Sequence, residues 1–155
     1  MKLLTLLSAL IYGLFLLLII PYFLIQQNTK FNLPTYSFLF FKILGLGLIA
    51  VGMSIWLYCI DLFNFLGKGT PVPINPPKKL VIKGIYRFTR NPMYIGVLII
   101  LTGYFLLFGH FLLLIYPFLA AIFFNLLVKF YEEPTLKKKF GQSYIEYCKK
   151  APRWV

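Results

Sequence analysis

The chain has 155 residues, of which 60% are hydrophobic and 19% aromatic, and its formal net charge is +12. This composition excludes an ordinary soluble domain and indicates one compact unit, residues 1–155, whose solvent is mostly lipid. The charge does not indicate nucleic acid, because 13 of the 16 Lys and Arg residues lie in Lys68–Arg90 and Lys129–Arg153, as expected of loops on the cytoplasmic side of a membrane.

Hydropathy predicts an all-α, polytopic membrane protein with four spans, the first two at about residues 3–25 and 38–66. The first span lies in an uncharged stretch that is longer than the core of a signal peptide and has no small-residue cleavage site, so we expect a retained anchor. The second span carries Gly45, Gly47 and Gly52, which we expect to allow close helix packing rather than to bind a ligand.

A long apolar run separates two polar motifs in the second half of the chain. No residue between Arg90 and Lys129 is charged, and the 38 intervening residues are nearly twice what one crossing requires. A reversal at Gly109-His110, with His110 acting only as a turn residue, predicts an antiparallel hairpin of two spans, residues 92–108 and 111–131. Both ends of the hairpin then return to one face, which the basic segments assign, with both termini, to the cytoplasm.

The tail after the fourth span has an apolar helical face. Pro134 can occupy the first turn of a helix, and aromatic residues recur after it at spacings of three and four. We therefore predict an amphipathic interfacial helix over residues 134–150, with Tyr144 and Tyr147 as aromatic-belt residues. With one His and two separated Cys residues, the sequence shows no metal-ligand cluster.

Charged side chains of both signs meet at the cytoplasmic end of the predicted hairpin. Asn91-Pro92 is typical of an N-cap followed by proline, and such a helix end, with Arg87 and Arg90 beside it, binds carboxylates. Glu132-Glu133 ends the other helix, where the helix dipole disfavours negative charge. This unfavourable placement of the two glutamates would be compensated by an ion pair with the arginines, or by a ligand with an amino group, ribose hydroxyls or a sulfonium. S-adenosylmethionine has both a carboxylate and an ammonium.

Two motifs resemble those of the isoprenylcysteine carboxyl methyltransferase and phospholipid methyltransferase superfamily of integral membrane enzymes. They are Gly84-x-Tyr86-Arg87-x-x-Arg90-Asn91-Pro92-Met93-Tyr94-x-Gly96 and Glu132-Glu133-x-x-Leu136-x-x-x-Phe140-Gly141-x-x-Tyr144-x-x-Tyr147. The resemblance covers residues 69–154, and it is specific because the two motifs occur in this order on either side of a two-span hairpin.

The resemblance implies a cytoplasmic pocket that binds S-adenosyl-L-methionine between the start of the third span, the end of the fourth and the tail. It implies that the cofactor contacts Arg90, Asn91, Tyr94 and Gly96, and that Glu132 and Glu133 bind its amino-acid or ribose part. Many relatives have His where this chain has Asn91. Since Asn does not titrate near neutrality, no histidine base is implied at this position.

Methyl transfer needs mainly alignment, exclusion of water and a deprotonated nucleophile, because the sulfonium is already activated. The candidate catalytic residues are Arg87 and Arg90, which could orient a carboxylate acceptor, and Glu133, which like Glu132 could accept the proton of an amine. We expect an enzyme that contacts membrane lipids and not nucleic acid. Its lipid or lipophilic acceptor would enter from the bilayer, and the acceptor atom stays open.

Two other functions stay open. In a non-catalytic lipid-binding or assembly protein, the Arg and Glu residues would only pair to close the hairpin. A membrane reductase of the sterol-reductase type would need a nicotinamide cofactor, for which the chain has no dinucleotide fingerprint. The spans that carry glycine could also pair in a homo-oligomer.

Overall fold

A computed structural model describes residues 13–63, 65 and 79–154, and within these ranges the chain forms helices and turns with no β-strand. The predicted all-α class is therefore confirmed for this part of the chain. The elements, in chain order, are a π-helical turn at Phe15–Ile19, α1 at Ile20–Lys30, α2 at Leu39–Leu62, a 3-10 turn at Gly84–Arg87, α3 at Pro92–Phe108, α4 at Phe111–Leu127, a π-helical turn at Val128–Glu132, α5 at Glu133–Phe140 and α6 at Gln142–Lys150.

Within the described residues, two helices are long and apolar enough to cross a membrane: α2 and the continuous helix Phe111–Phe140, with mean hydropathies of 2.2 and 2.5, while α3 is apolar but shorter. Only 17% and 28% of their most apolar windows is buried, so large apolar side chains face outward, as they do in lipid. The described part of the chain thus contains two candidate membrane spans. The predicted span at residues 3–25 lies partly outside the described residues, and its helix continues to Lys30.

Glycines allow α2 and α3 to pack closely. A Cβ on Gly45 would lie 2.7 Å from the Gly103 carbonyl oxygen, and one on Gly52 would lie 2.6 Å from that of Gly96. Because the earlier glycine of α2 faces the later glycine of α3, the two helices are antiparallel. The predicted packing role is confirmed for Gly45 and Gly52. It is wrong for Gly47, whose Cβ would have no described atom within 4 Å.

The turn between α3 and α4 lies at Gly109-His110, as predicted. Gly109 has a φ of +69°, and a Cβ there would overlap the Tyr36 carbonyl oxygen, so the position requires glycine. The Tyr36 N–H donates to the Gly109 carbonyl at 3.0 Å. The buried Asn28 side chain accepts the N–H of Leu112 at 3.0 Å and satisfies the start of α4. The α1–α2 loop and this turn therefore share one end of the molecule.

The prediction of one separate helix over residues 134–150 is wrong. The helix that begins at Phe111 continues past Pro134, because the π-helical turn Val128–Glu132 breaks the regular hydrogen-bond pattern where proline lacks an N–H. This helix ends at Phe140. Gly141, with φ +55° and ψ −127°, then separates α5 from α6 in a conformation that favours glycine.

The belt interpretation of Tyr144 and Tyr147 is also wrong, because these side chains are only 4% and 8% exposed. They pack with Leu80, Leu136, Phe140, Cys148 and Ala151. The Tyr147 hydroxyl donates to the Tyr86 carbonyl at 2.7 Å, and burial raises the pKa of both tyrosines, so they stay neutral. The bend at Gly141 thus lets α6 pack against the segment that precedes α3, at the end opposite the hairpin turn.

Candidate active site

Asn91 occupies the N-cap position of α3, but its side chain makes no capping hydrogen bond. Its Nδ2 instead donates to the backbone carbonyl of Arg153 at 2.9 Å, and the Thr89 hydroxyl donates to the same carbonyl at 3.2 Å. Asn91 is 9% exposed and Thr89 6%. The start of α3 therefore binds the C-terminal end of the chain through buried polar groups.

One carboxylate binds two arginines beside the start of α3. Arg90 Nη1 lies 3.1 Å from Glu133 Oε1, and Arg153 donates from Nε to Oε1 at 2.8 Å and from Nη2 to Oε2 at 2.7 Å. The side chains of Arg90 and Glu133 are 13% and 19% exposed. The fork of Arg153 matches the two carboxylate oxygens, which is the strongest geometry for such a pair. These hydrogen bonds raise the pKa of Arg153.

Glu132 has a different partner from Glu133. Tyr94, in the first turn of α3, donates its hydroxyl hydrogen to Glu132 Oε1, and its ring lies against that of Phe124, with 4.6 Å between centroids. No arginine or lysine among the described residues forms an ion pair with Glu132; the two described ion pairs both involve Glu133. The two adjacent acids thus differ in charge compensation.

The segment Pro152–Trp154, called here the C-terminal segment, closes one side of this cluster. The Arg90 N–H donates to the Pro152 carbonyl at 2.9 Å, and Trp154 Nε1 donates to Asn125 Oδ1 on α4 at 3.1 Å. Contacts to both α3 and α4 therefore fix the segment in place. It brings Arg153 to Glu133 from a position 20 residues later in the chain.

Residues 40–143 match the family model described as phospholipid methyltransferase, which is about two thirds of the chain. The chain belongs to the phospholipid methyltransferase family. Membership in this family confirms the superfamily that the two motifs indicated, and it assigns the chain to the membrane methyltransferases. Neither the curated proteins nor the solved structures that were compared match the chain.

In this member of the methyltransferase family, most of the predicted site residues lie close together. Arg90, Asn91 and Glu133 share the cluster around the C-terminal segment, and Tyr94 and Glu132 form the neighbouring pair. Their roles toward a cofactor stay predictions.

Two of the predicted residues lie apart from the cluster. Arg87 is exposed and makes no ion pair with any described residue. Gly96 faces α2, and a Cβ there would lie 3.0 Å from the Gly52 carbonyl oxygen. The structure therefore gives Gly96 a packing role, while its contact with a cofactor stays a prediction.

Sequence reasoning missed Arg153, Trp154 and Asn125. Arg153 counted only as one more cation of a basic tail, and its fork to Glu133 depends on the path of the chain through Gly141. Asn125 carried a usable signal, since it is the one amide side chain within α4. A half-buried amide in an apolar helix needs a partner, and Trp154 supplies the donor.

Proposed function

We propose that this protein transfers a methyl group from S-adenosyl-L-methionine to the polar headgroup of a lipid or lipophilic molecule in the same membrane. The observation that carries the proposal is the cluster of Arg90, Glu133 and Arg153 beside the Tyr94–Glu132 pair, at one end of two apolar helices. Membership in the phospholipid methyltransferase family supports the reaction class.

The residues of the cluster suit the amino-acid end of this cofactor. Arg90 Nε is buried and has no hydrogen-bond partner among the described residues, and a buried donor without an acceptor favours an anionic ligand such as a carboxylate. Glu132, which accepts from a neutral phenol and forms no described ion pair, is the acid available to an ammonium or a ribose hydroxyl. Asn91 and Glu133 would complete the pocket by holding the surrounding backbone and arginines.

When bound, the cofactor would supply a methyl group already activated by the sulfonium, for transfer to the acceptor atom with release of a neutral thioether. The chain must orient the acceptor and exclude water. For an amine acceptor it must also take one proton, for which the carboxylate of Glu132 is the better placed, since both oxygens of Glu133 already bind arginines. Arg87, exposed at the end of the 3-10 turn that precedes α3, suits an anionic headgroup or a carboxylate acceptor.

An apolar groove supports a lipophilic acceptor. It lies between the first described helical segment and α4, with a volume of about 540 Å³, within the size range of small-molecule sites. Its lining includes Phe15, Leu24, Tyr116, Ala120 and Phe124. Phe124 also packs on the Tyr94 ring, and Tyr94 binds Glu132. A hydrocarbon chain in this groove would lie beside the Tyr94–Glu132 pair.

We also propose that the chain crosses the membrane four times, with both termini in the cytoplasm. The α1–α2 loop and the α3–α4 turn share one end, whereas Arg90, Glu133 and the C-terminal segment share the other. The two ends also differ in charge. Lys30 is the one Lys or Arg in the first loop, while the described residues 79–90 and 129–153 at the site end hold 11, which supports a cytoplasmic site.

The test is calorimetric binding to the detergent-purified protein, with S-adenosylmethionine, S-adenosylhomocysteine and a nicotinamide cofactor as ligands. We expect micromolar binding of the first two, loss of binding in Arg90→Ala and Glu133→Gln, and transfer of a labelled methyl group into the lipid extract. Each variant must remain in the membrane fraction. Normal affinity in both variants contradicts the site, binding of the nicotinamide alone favours a reductase, and no binding by folded protein favours a non-catalytic role.

A further inference from the structure

Arg153 is the residue at the cluster that neither the two sequence motifs nor the family match includes, because the match ends at residue 143. It is nevertheless fixed from three sides. Its carbonyl accepts from Asn91 and Thr89, its guanidinium binds both oxygens of Glu133, and the next residue, Trp154, binds Asn125. A side chain held this firmly at a site is pre-organised, so little conformational entropy opposes binding of a ligand to it.

The charges around Arg153 do not cancel. Two guanidinium groups share the single carboxylate of Glu133, which leaves one positive charge in excess. Glu132 does not neutralise it through a described ion pair, because its described partner is the Tyr94 hydroxyl. A partly buried excess of positive charge between two arginines selects an anion with several oxygen acceptors.

Donors for such an anion remain on both arginines. Arg90 Nε is buried without a described partner. Arg153 uses Nε and Nη2 for Glu133, and its Nη1 makes no hydrogen bond to a described residue. The Arg153 side chain is 32% exposed, so it is accessible to a ligand that enters beside the C-terminal segment. Glu133, by contrast, has most of its acceptor capacity occupied.

We propose that Arg153 is a further cofactor-binding residue, which together with Arg90 binds the carboxylate at the amino-acid end of S-adenosylmethionine, while Glu133 positions the two arginines. This inference rests on the proposed function and assigns a residue to it that lies outside the family match. A phosphate of a lipid headgroup offers similar oxygens. The cofactor is favoured because Arg153 is fixed against Asn91 and Glu133, two residues of the predicted cofactor pocket, and is not among the residues that line the apolar groove.

The experiment compares two ligands that differ in the amino-acid end. S-adenosylhomocysteine carries the carboxylate, and 5′-methylthioadenosine lacks the amino-acid part. Calorimetry with the purified full chain gives the affinity of each for the wild type, Arg153→Gln, Arg153→Lys and the control Lys150→Gln, which removes one exposed positive charge three residues away. A labelled-methyl assay with a short-chain phospholipid then gives the acceptor KM of each variant.

We expect Arg153→Gln to weaken S-adenosylhomocysteine binding by about 10- to 100-fold, as for loss of a charge-assisted hydrogen bond, and to leave 5′-methylthioadenosine binding unchanged. Arg153→Lys should lose less affinity for S-adenosylhomocysteine, since lysine keeps the positive charge but not the two-pronged guanidinium geometry. Lys150→Gln should bind both ligands as the wild type does. An unchanged ratio of the two affinities overturns the inference, and so does a change confined to the acceptor KM, which would assign Arg153 to the lipid phosphate. Absence of any wild-type binding instead refutes the proposed function itself.

Discussion

Two adjacent glutamates, where the π-helical turn Val128–Glu132 meets the start of α5, have unlike partners, and the difference follows from helix geometry. Residues next to each other on a helix point about 100° apart, so one side chain can reach α3 while its neighbour reaches the C-terminal segment. Glu132 accepts from Tyr94 and Glu133 binds Arg90 and Arg153. The sequence shows that the negative charge of each acid needs a partner. Only the fold shows that Glu132 is paired with a phenol and Glu133 with two arginines.

At the residue scale, Tyr94→Phe tests the hydrogen bond to Glu132. Without the hydroxyl, a half-buried carboxylate loses its donor, which should cost about 1–3 kcal/mol in the free energy of unfolding. Tyr131→Phe is the matched control, because Tyr131 is 50% exposed. Equilibrium unfolding of both variants in detergent gives the difference between their free energies of unfolding. If they unfold alike, the contact between Tyr94 and Glu132 contributes nothing to stability.

At the element scale, the close approach of α2 and α3 depends on small residues at the crossing, as in many pairs of membrane helices. The predicted hairpin turn and the packing of Gly45 and Gly52 could be derived from sequence, because apolar length and glycine spacing are local signals. The bend at Gly141 could not. Leu136, Phe140, Tyr144 and Tyr147 continue at helical spacing across it, and the decisive gain, burial of the tyrosines against Leu80 and Tyr86, involves residues far away in the chain.

Gly52→Ala and Gly47→Ala form a matched pair for the helix crossing. A Cβ at residue 52 would lie 2.6 Å from the Gly96 carbonyl oxygen and 2.8 Å from Ile100 Cγ1, so the helices must separate, at a cost of about 1–3 kcal/mol. At residue 47 no described atom is within 4 Å, and alanine should stabilise the helix by about 0.5–1 kcal/mol. Thermal unfolding in detergent measures the stability of each variant. An equal loss of stability in both would mean that the α2–α3 contact lies elsewhere.

At the scale of the whole molecule, the fold separates a polar site from a nearly uncharged end. The site end holds the arginines, both site glutamates and the C-terminal segment. The other end holds the turn at Gly109-His110 and the loop that packs on it. Such a molecule can present its polar site to water on one side of a membrane while α2 and α4 expose apolar side chains to lipid.

Four crossings with a cytoplasmic site predict the accessibility of two exposed serines. Ser37 lies in the loop at the uncharged end and Ser143 lies in α6 at the site end. In intact cells a membrane-impermeant maleimide should label Ser37→Cys and not Ser143→Cys, whereas both should react after permeabilisation. The wild type is the control, because Cys59 is buried and Cys148 is on the site side. Labelling of Ser143→Cys in intact cells would reverse the orientation, and with it the side from which a water-soluble cofactor reaches Arg90 and Glu133. Labelling of both variants would mean that residues 37 and 143 lie on one face, which an odd number of crossings between them cannot produce.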